Sequence, residues 1–343
     1  MLTRCRPLLR GAALVMTAGL LSAAEPVQPA LTKEIRRIRA EAGRVLPEAQ
    51  QAPVTTRLDR AAAALEAQRY YLALYELESP WEITRSFGFA REASRIDSLQ
   101  AFTARWKAIG EPRAAGAAPP GLPLAAEALA TAAEARGPVV YRASLPYADD
   151  SDIASGLFYL GESQAVTAFG ALVRSIAFPS AGPRPALRPL TAEIDALDAE
   201  MTTAYEGMQP SEHPAWIVAS VTLKRARALN DQGGHAGALL EYLLARYRFG
   251  TLRKGPLPDI PAASALADAR AALPAGADHS IAQLFVEMAE AALQGSTEAA
   301  RRGAALIVGD VLPAYHAALR PASATTAADA AAVTITLVRW PFT

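Results

Sequence analysis

The chain has very little cysteine, few aromatic residues and no net charge, and each shortage excludes a class of protein. Its only cysteine is Cys5, which excludes stabilisation by internal disulfides. Acidic and basic residues are equal in number and interspersed, so there is no basic patch for nucleic acid or an anionic membrane. Aromatic residues make up 7% and charged residues 20%, which is typical of closely packed helices and too apolar for a disordered chain.

The first 24 residues have the pattern of a secretory signal. The basic residues Arg4, Arg6 and Arg10 precede an apolar run at 12–21, and small residues follow it. We expect cleavage after Ala24, which removes Cys5 and leaves a net charge of −3, and we expect a periplasmic or secreted protein. An uncleaved anchor is the competing interpretation. The run is shorter than the roughly 20 residues of a membrane-spanning helix, so we expect no transmembrane segment in the mature chain.

Apolar residues recur at helical spacing along most of the chain, and this periodicity predicts an all-α fold. Ile281, Leu284, Phe285 and Met288, for example, lie at i, i+3, i+4 and i+7. Short breaks between helices favour paired antiparallel helices in a solenoid or an irregular bundle. The expected organisation is a signal peptide at 1–24, an N-terminal helical module at 25–111, a linker at 112–122, a helical repeat-like domain at 123–320 and an extended tail at 321–343.

Prolines and β-branched residues predict further boundaries. Pro53 predicts the start of a helix at about 54–78, and Pro80 predicts its end. Residues 138–142 predict a short strand or an extended loop. Residues 333–342 are β-branched and aromatic, and they predict a lone strand or extended tail. That strand would pair with 138–142, dock on the body of the protein or join the sheet of another protein.

One pair of predicted helices carries small residues at fixed offsets around a glycine turn. Small or apolar residues occupy the contact positions Ala226, Leu229, Ala238, Tyr242 and Ala245, with Gly233 in the turn. On these residues, segment 216–250 resembles a tetratricopeptide (TPR-like) repeat. Thr222, Arg225 and Gly250 depart from the family pattern. A weaker echo at Ala61, Ala64, Ala73 and Leu77 lacks the turn glycine.

The TPR-like resemblance implies a partner-binding surface. In that family the first helix of each pair lines a concave face, which implies that Ser220, Leu223, Arg227 and Asn230 contact a partner. The competing interpretation is that these are ordinary positions on a partly buried helix. The resemblance therefore favours binding of a protein or peptide, and it leaves the oligomeric state open.

Glu162 and Ser163 are the candidates for catalysis. Gly161-Glu162-Ser163 follows an apolar segment, as the nucleophile turn of serine hydrolases does, but no multi-stranded sheet is predicted around it. The Glu-Ser pair is also similar to that of lytic transglycosylases, which implies Glu162 as a general acid on peptidoglycan, although the other motifs of that family are absent. The simpler interpretation is that Glu162 and Ser163 lie in an ordinary helix that tolerates the glycines beside them.

The aromatic residues between 70 and 106 form either a core or an aromatic-lined groove. If they form a groove, Arg69, Tyr70 and Trp81 would bind a ligand such as a peptide or glycan. The four histidines are scattered without metal-ligand spacing, and the acidic cluster before Ile153 fits a helix cap better than a calcium loop. We therefore expect no metal and no cofactor.

These patterns predict an exported protein-interaction or scaffold module of the cell envelope. The alternatives are a lytic enzyme that uses Glu162 and a small-ligand or peptide-binding protein that uses the aromatic region near Trp81. Whether the protein is an enzyme stays open at this point, with the sequence favouring a binding protein.

Overall fold

The computed structural model of the protein is mostly helical, which confirms the predicted all-α class. It describes residues 25–96, 98–112, 119–148, 152–253, 263–273, 276–295 and 297–319. The helices in this part of the chain are α1 (Val27–Val45), α2 (Glu48–Glu66), α3 (Tyr70–Ala90), α4 (Leu99–Ile109), α5 (Leu124–Ser144), α6 (Ile153–Ser175), α7 (Thr191–Tyr205), α8 (His213–Asp231), α9 (His235–Gly250), α10 (Ala263–Ala271), α11 (Ser280–Gln294), α12 (Glu298–Leu306) and α13 (Leu312–Ala318).

Consecutive helices form pairs that pack side by side. Helix α2 packs on α3, α5 on α6, and α8 on α9, while contacts of α3 with α6 and of α5 with α9 join the pairs. One hydrophobic core runs through them, with buried members from Val27 to Ala318. This core includes residues on both sides of the predicted linker at 112–122, of which 113–118 lie outside the described residues.

Several predictions fall at the ends of the chain or between helices. The predicted signal peptide at 1–24 and the whole predicted tail at 321–343, including the strand at 333–342, lie outside the described residues. The described part begins with β1 (Glu25–Pro26), which pairs in parallel with β2 (Ile176–Ala177). Asp152 caps α6 by accepting the Ser155 N–H at 3.0 Å, as the acidic cluster predicts. No helix in the described ranges is long and apolar enough to cross a membrane.

Two predicted boundaries at prolines are wrong. Pro53 and Pro80 lie inside α2 and α3, and the break falls between them, at the turn that contains Gln68. Leu77 and Trp81, which precede and follow Pro80 in α3, are both buried in the core. The backbone hydrogen bond that the proline removes costs less free energy than the packing of the residues before and after it contributes.

The predicted strand at 138–142 is also wrong, because these residues continue α5 through Pro138. Gly137, Tyr141 and Ser144 lie on the face that packs against neighbouring helices and are buried there. Burial at helical spacing outweighs the β-propensity of Val139 and Val140.

Several helices that begin at residues unable to cap them receive their caps from distant helices. Arg69, Pro123 and Leu190 stand at the N-caps of α3, α5 and α7, and none of them provides a side-chain hydrogen bond there. Carboxylate or hydroxyl oxygens at the start of α11 accept the N–H groups of Leu124 at 2.6 Å and Ala125 at 2.8 Å. These bonds satisfy donors that a helix start leaves free.

The donors at the starts of α3 and α7 are satisfied in the same way. Glu287 of α11 accepts the Leu72 N–H at 3.0 Å. Asn230 of α8 accepts the Leu190 N–H at 2.7 Å. Helix α11 therefore joins α3 to α5, and α8 is joined to α7.

The turns of the α2–α3 and α8–α9 pairs have the same hydrogen bonds but different residues at the same position. Arg69 N–H donates to Ala64 O at 2.8 Å, and Gly234 N–H donates to Leu229 O at 2.8 Å. The residue before each donor has a left-handed conformation, with φ of 57° at Gln68 and 77° at Gly233. A residue with a Cβ is strained in this conformation, whereas glycine is not.

We predict opposite effects of exchanging these two residues. Gln68→Gly should raise the free energy of unfolding by about 1 kcal/mol, and Gly233→Gln should lower it by about 1 kcal/mol. A Cβ at Gly233 has open space around it, so its cost is confined to the backbone conformation. Urea unfolding of the two variants measures both changes. A loss of stability in Gln68→Gly would show that the glutamine side chain contributes more than its backbone strain costs.

We also predict that Glu287 makes the protein less stable as the pH rises. Burial raises the pKa of Glu287 from its ordinary value of 4.5 to about 7. Between these values the folded state binds more protons than the unfolded state, so the stabilisation present below pH 4.5 is lost as the pH rises through about 7. Glu287→Gln keeps an acceptor for Leu72 N–H but cannot ionise. Between about pH 5 and pH 8, its free energy of unfolding should fall less than that of the wild type, by on the order of 2 kcal/mol.

Glu66→Gln, at an exposed residue of α2, is the control for the loss of a carboxylate. It should retain the pH dependence of the wild type. If Glu287→Gln also retains that dependence, Glu287 does not ionise in this pH range.

Candidate functional site

A groove lies between the second half of α5 and helix α8. Its volume is about 330 Å³, and its lining is mainly apolar, with alanine and valine side chains from both helices. Six large hydrophobic side chains are exposed in the described part, and four of them lie on these two helices: Val139 at 59%, Ile217 at 53%, Val218 at 51% and Val221 at 40%. Val139 and Val221 line the groove directly. An exposed apolar surface of this kind is typical of an interaction site.

Helix α8 buries some of its polar residues and exposes some of its large apolar residues. Its buried face includes the polar residues Thr222 and Asn230, which bond to other groups. Ile217, Val221 and Lys224 lie at i, i+4 and i+7 on the opposite, exposed face. The apolar exposed face therefore does not serve the core of this chain.

A cluster of charged side chains surrounds Arg136, which also lines the groove. Its guanidinium donates to Glu78 Oε1 at 3.3 Å, Glu82 Oε2 at 2.7 Å and Glu162 Oε1 at 3.1 Å. The glutamates come from α3 and α6, and Glu78 and Glu82 share one face of α3 because they are four residues apart. One cation from α5 thus joins three helices.

The electrostatics of this cluster follow from burial and from an excess of carboxylates. Burial opposes the charged form of Arg136, but Glu82, Glu78 and Glu162 outweigh it and raise the arginine's pKa. Burial also raises the pKa of Glu162, and Glu82 adds to this rise while Arg136 opposes it. Burial raises the pKa of Glu78 in the same way. The cluster is therefore a site where a proton is bound more tightly than on an isolated carboxylate.

Arg225 lines the same groove but is not part of this cluster. It makes no hydrogen bond or ion pair with any residue that the structure describes, although Glu241 and Glu78 lie near enough to influence it. Burial raises the pKa of Glu241, which weakens its ability to neutralise a neighbouring cation. Arg225 and the exposed Lys224 are thus the cations that the groove offers to a ligand.

The structure gives the two candidate catalytic residues structural contacts. The Glu162 carboxylate accepts from Arg136 at 3.1 Å, and burial together with Glu82 raises its pKa although Arg136 opposes the rise, so its role as a general acid stays a prediction. Ser163 is fully buried, and its hydroxyl donates to Gly137 O at 2.8 Å. Ser163 therefore has the geometry of a residue that packs α6 on α5, and a buried hydroxyl of this kind is closed to a substrate.

The four residues predicted to contact a partner do not form one exposed face. Leu223 is buried, and Asn230 is buried as the cap of α7, so the prediction is wrong for these two. Arg227 forms ion pairs with Asp195 and with Asp198 of α7, and Ser220 is half-buried. Helix α7 packs on the face of α8 that was expected to be free.

The three residues predicted to bind a ligand separate into two groups. Trp81 is a core residue, with its indole N–H donating to Ala165 O at 2.9 Å and with Arg37 and Arg85 over its ring. The prediction is therefore wrong for Trp81. Arg69 and Tyr70 lie at the turn between α2 and α3, where both line surface clefts.

Known proteins offer no relative with which to compare this site. No family model matches the chain, and no curated protein or solved structure matches it either. The function therefore has to be inferred from the groove, the charges around it and the clefts.

We predict that Arg136 is needed to hold the glutamate cluster. Arg136→Met should lower the free energy of unfolding by about 3–5 kcal/mol at neutral pH, because it leaves partly buried carboxylates without their cation. This loss should shrink at an acidic pH, because burial raises the pKa of Glu78 and Glu162 and both become neutral sooner than an isolated carboxylate as the pH falls. Urea unfolding at the two pH values measures the effect.

Glu162→Gln is the matched control for this cluster, because it leaves Arg136 paired with Glu78 and Glu82. We expect it to change stability by less than about 1 kcal/mol at neutral pH. Equal losses in Arg136→Met and Glu162→Gln would contradict the central role of the guanidinium.

Proposed function

We propose that the protein is an exported protein-interaction module that binds a segment of another protein in the groove between α5 and α8. The observation that carries this proposal is that the exposed Val139 of α5 and Val221 of α8 line one groove, with the exposed Ile217 and Val218 one turn before Val221 on α8. Each square ångström of apolar surface that a partner covers is worth roughly 25 cal/mol, and the chain itself leaves these side chains exposed.

The charges at the groove favour a partner segment with an acidic group. Arg136 is already bound by three glutamates, whereas Arg225 has no ion pair in the described part of the chain. A carboxylate that binds a guanidinium in an apolar groove gains more than it would in water, since the surrounding dielectric is lower. We therefore propose a segment with apolar side chains and one acidic residue that binds Arg225.

The shape of the groove supports a short helical or extended segment. A groove between two helices accommodates apolar side chains spaced along one face of a peptide, as in other helix-in-groove complexes. The proposal retains the α8 helix of the TPR-like resemblance as the binding element. It replaces the expected face by the one that carries Ile217 and Val221.

Export is part of the proposal and is supported by the pattern of residues 1–24. Loss of that segment would leave a chain without cysteine, which is compatible with an oxidising compartment. A periplasmic or secreted location would place the groove among cell-envelope proteins.

A peptide selection tests this function. Random peptides of about 12 residues, displayed on phage, are selected on the full chain, and their affinities are then measured by fluorescence polarisation. We expect the selected peptides to combine an acidic residue with apolar residues at i+3 or i+4. Arg225→Met and Val221→Asp should each weaken their binding by about tenfold or more.

Lys33→Met on α1 is the control for a lost surface cation, because Lys33 is exposed and does not line the groove. It should leave peptide affinity unchanged. Selected peptides that lack acidic residues, or that bind Arg225→Met as well as the wild type, would contradict the proposed partner. Sedimentation of the chain alone tests whether the groove binds a second copy of the chain instead. A dimer that Val221→Asp dissociates would show that it does, and would contradict the proposed peptide.

A further inference from the structure

A second concave region lies at the turn between α2 and α3, away from the residues that line the groove. One hollow of about 590 Å³ is bounded by Ala67, Arg69, α10 and α11. Another of about 440 Å³ is bounded by Tyr70, Tyr71 and the segment before α11. The two share Gln68, Leu273 and Gln283 in their walls, so they lie side by side, and we call the pair the cleft. Its size is that of a small-molecule site.

Two guanidinium groups on different elements share one carboxylate in this cleft. Arg69 Nε lies 3.3 Å from Glu290 Oε2, and Arg270 Nη2 lies 2.9 Å from Glu290 Oε1. Both carboxylate oxygens are thus engaged, whereas each guanidinium carries five N–H donors and uses few of them here. The three side chains together have one positive charge in excess and an excess of donors.

The second acid in the cleft, Glu287, cancels only part of that excess positive charge. Glu287 is almost fully buried, and its oxygens already accept from Leu72 N–H and from Gln283 Nε2, both at 3.0 Å. Burial raises the pKa of Glu287 to about 7, so this carboxyl is only partly ionised at neutral pH. Each of its oxygens is already held by one hydrogen bond within the protein.

The neutral groups of the cleft suit an organic ligand. Gln68 is the one non-glycine residue with positive φ among those the structure describes, and its amide lies in the wall that both hollows share. Tyr70 adds an aromatic side chain beside it. Burial lowers the pKa of His279, which also lines the cleft, so this imidazole adds no full positive charge. Residues with a strained backbone, such as Gln68, occur more often at binding sites than elsewhere.

We infer that this cleft binds a small organic anion, with its carboxylate or phosphate group between Arg69 and Arg270. Both anions present the paired oxygens that a guanidinium binds through two parallel N–H bonds. The rest of the ligand would lie along Gln68 and Tyr70. This inference does not depend on the proposed partner groove, because the two sites have no lining residue in common.

Calorimetric titration of the full chain at low ionic strength tests the inference. Benzoate and inorganic phosphate are the probes, since the first carries a carboxylate with a ring and the second is a phosphate alone. We expect at least one of them to bind, and tighter binding of benzoate would assign the carboxylate class and a role for Tyr70. Arg270→Met should weaken the binding by about tenfold. This residue is about half exposed and makes one ion pair, so its loss should leave the fold intact.

Arg36→Met is the matched control, because Arg36 is exposed on α1 and does not line the cleft. It should leave probe affinity unchanged. Three results would overturn the inference: no binding of either probe up to about 10 mM, equal weakening by both variants, or full binding by Arg270→Met. Near-ultraviolet circular dichroism of each variant shows that the compared proteins are equally folded.

Discussion

The fold depends on helix caps that come from other helices. The residues at the N-caps of α3 and α5 are Arg69 and Pro123, and neither side chain caps its helix. Asp278, just before α11, Ser280, at its start, and Glu287, in its middle, supply the oxygens instead. Since an unsatisfied buried N–H costs about 1–3 kcal/mol, the starts of these two helices are stable only when α11 is docked on them. The N-terminal and C-terminal halves are therefore stabilised together.

This dependence explains which parts of the fold follow from the sequence. Helical periodicity predicts where α6, α7 and α11 lie, because it reflects a local geometry of i, i+3 and i+4. Caps are predictable only when they are local, as Asp152 is. Asn230 shows the limit: it looks like a surface residue of α8, but it accepts an N–H from Leu190, forty positions earlier. Pro138 shows the same limit, since packing on α6 keeps its segment helical.

The candidate sites were partly visible in the sequence. The spacing of Glu78 and Glu82 indicates a shared helix face, but only the packing of α3, α5 and α6 places Arg136 and Glu162 against them. Helical spacing alone does not indicate that the α8 face with Ile217 and Val221 is exposed, because apolar residues at this spacing are normally part of the core. The sequence feature that indicates this exposed face is the presence of polar residues on the opposite face of α8, where Thr222 and Asn230 are buried. Arg69 and Tyr70 were recognisable as an arginine beside aromatics, and they do line a cleft.

Helices α3 and α5 connect the surroundings of the cleft with those of the groove, and this constrains how the two sites can influence each other. Helix α3 begins at Tyr70 beside the cleft and carries Glu82 in the Arg136 cluster, about 18 Å further along its axis. Helix α5 begins at the cap from α11 and reaches the groove at Val139, about 22 Å away. A helix transmits a displacement only when it moves as a unit between two packed arrangements. An anion bound at Arg69 would therefore alter the groove through a shift of α3 or α5 as a whole, and such a shift would have to break the caps that α11 provides.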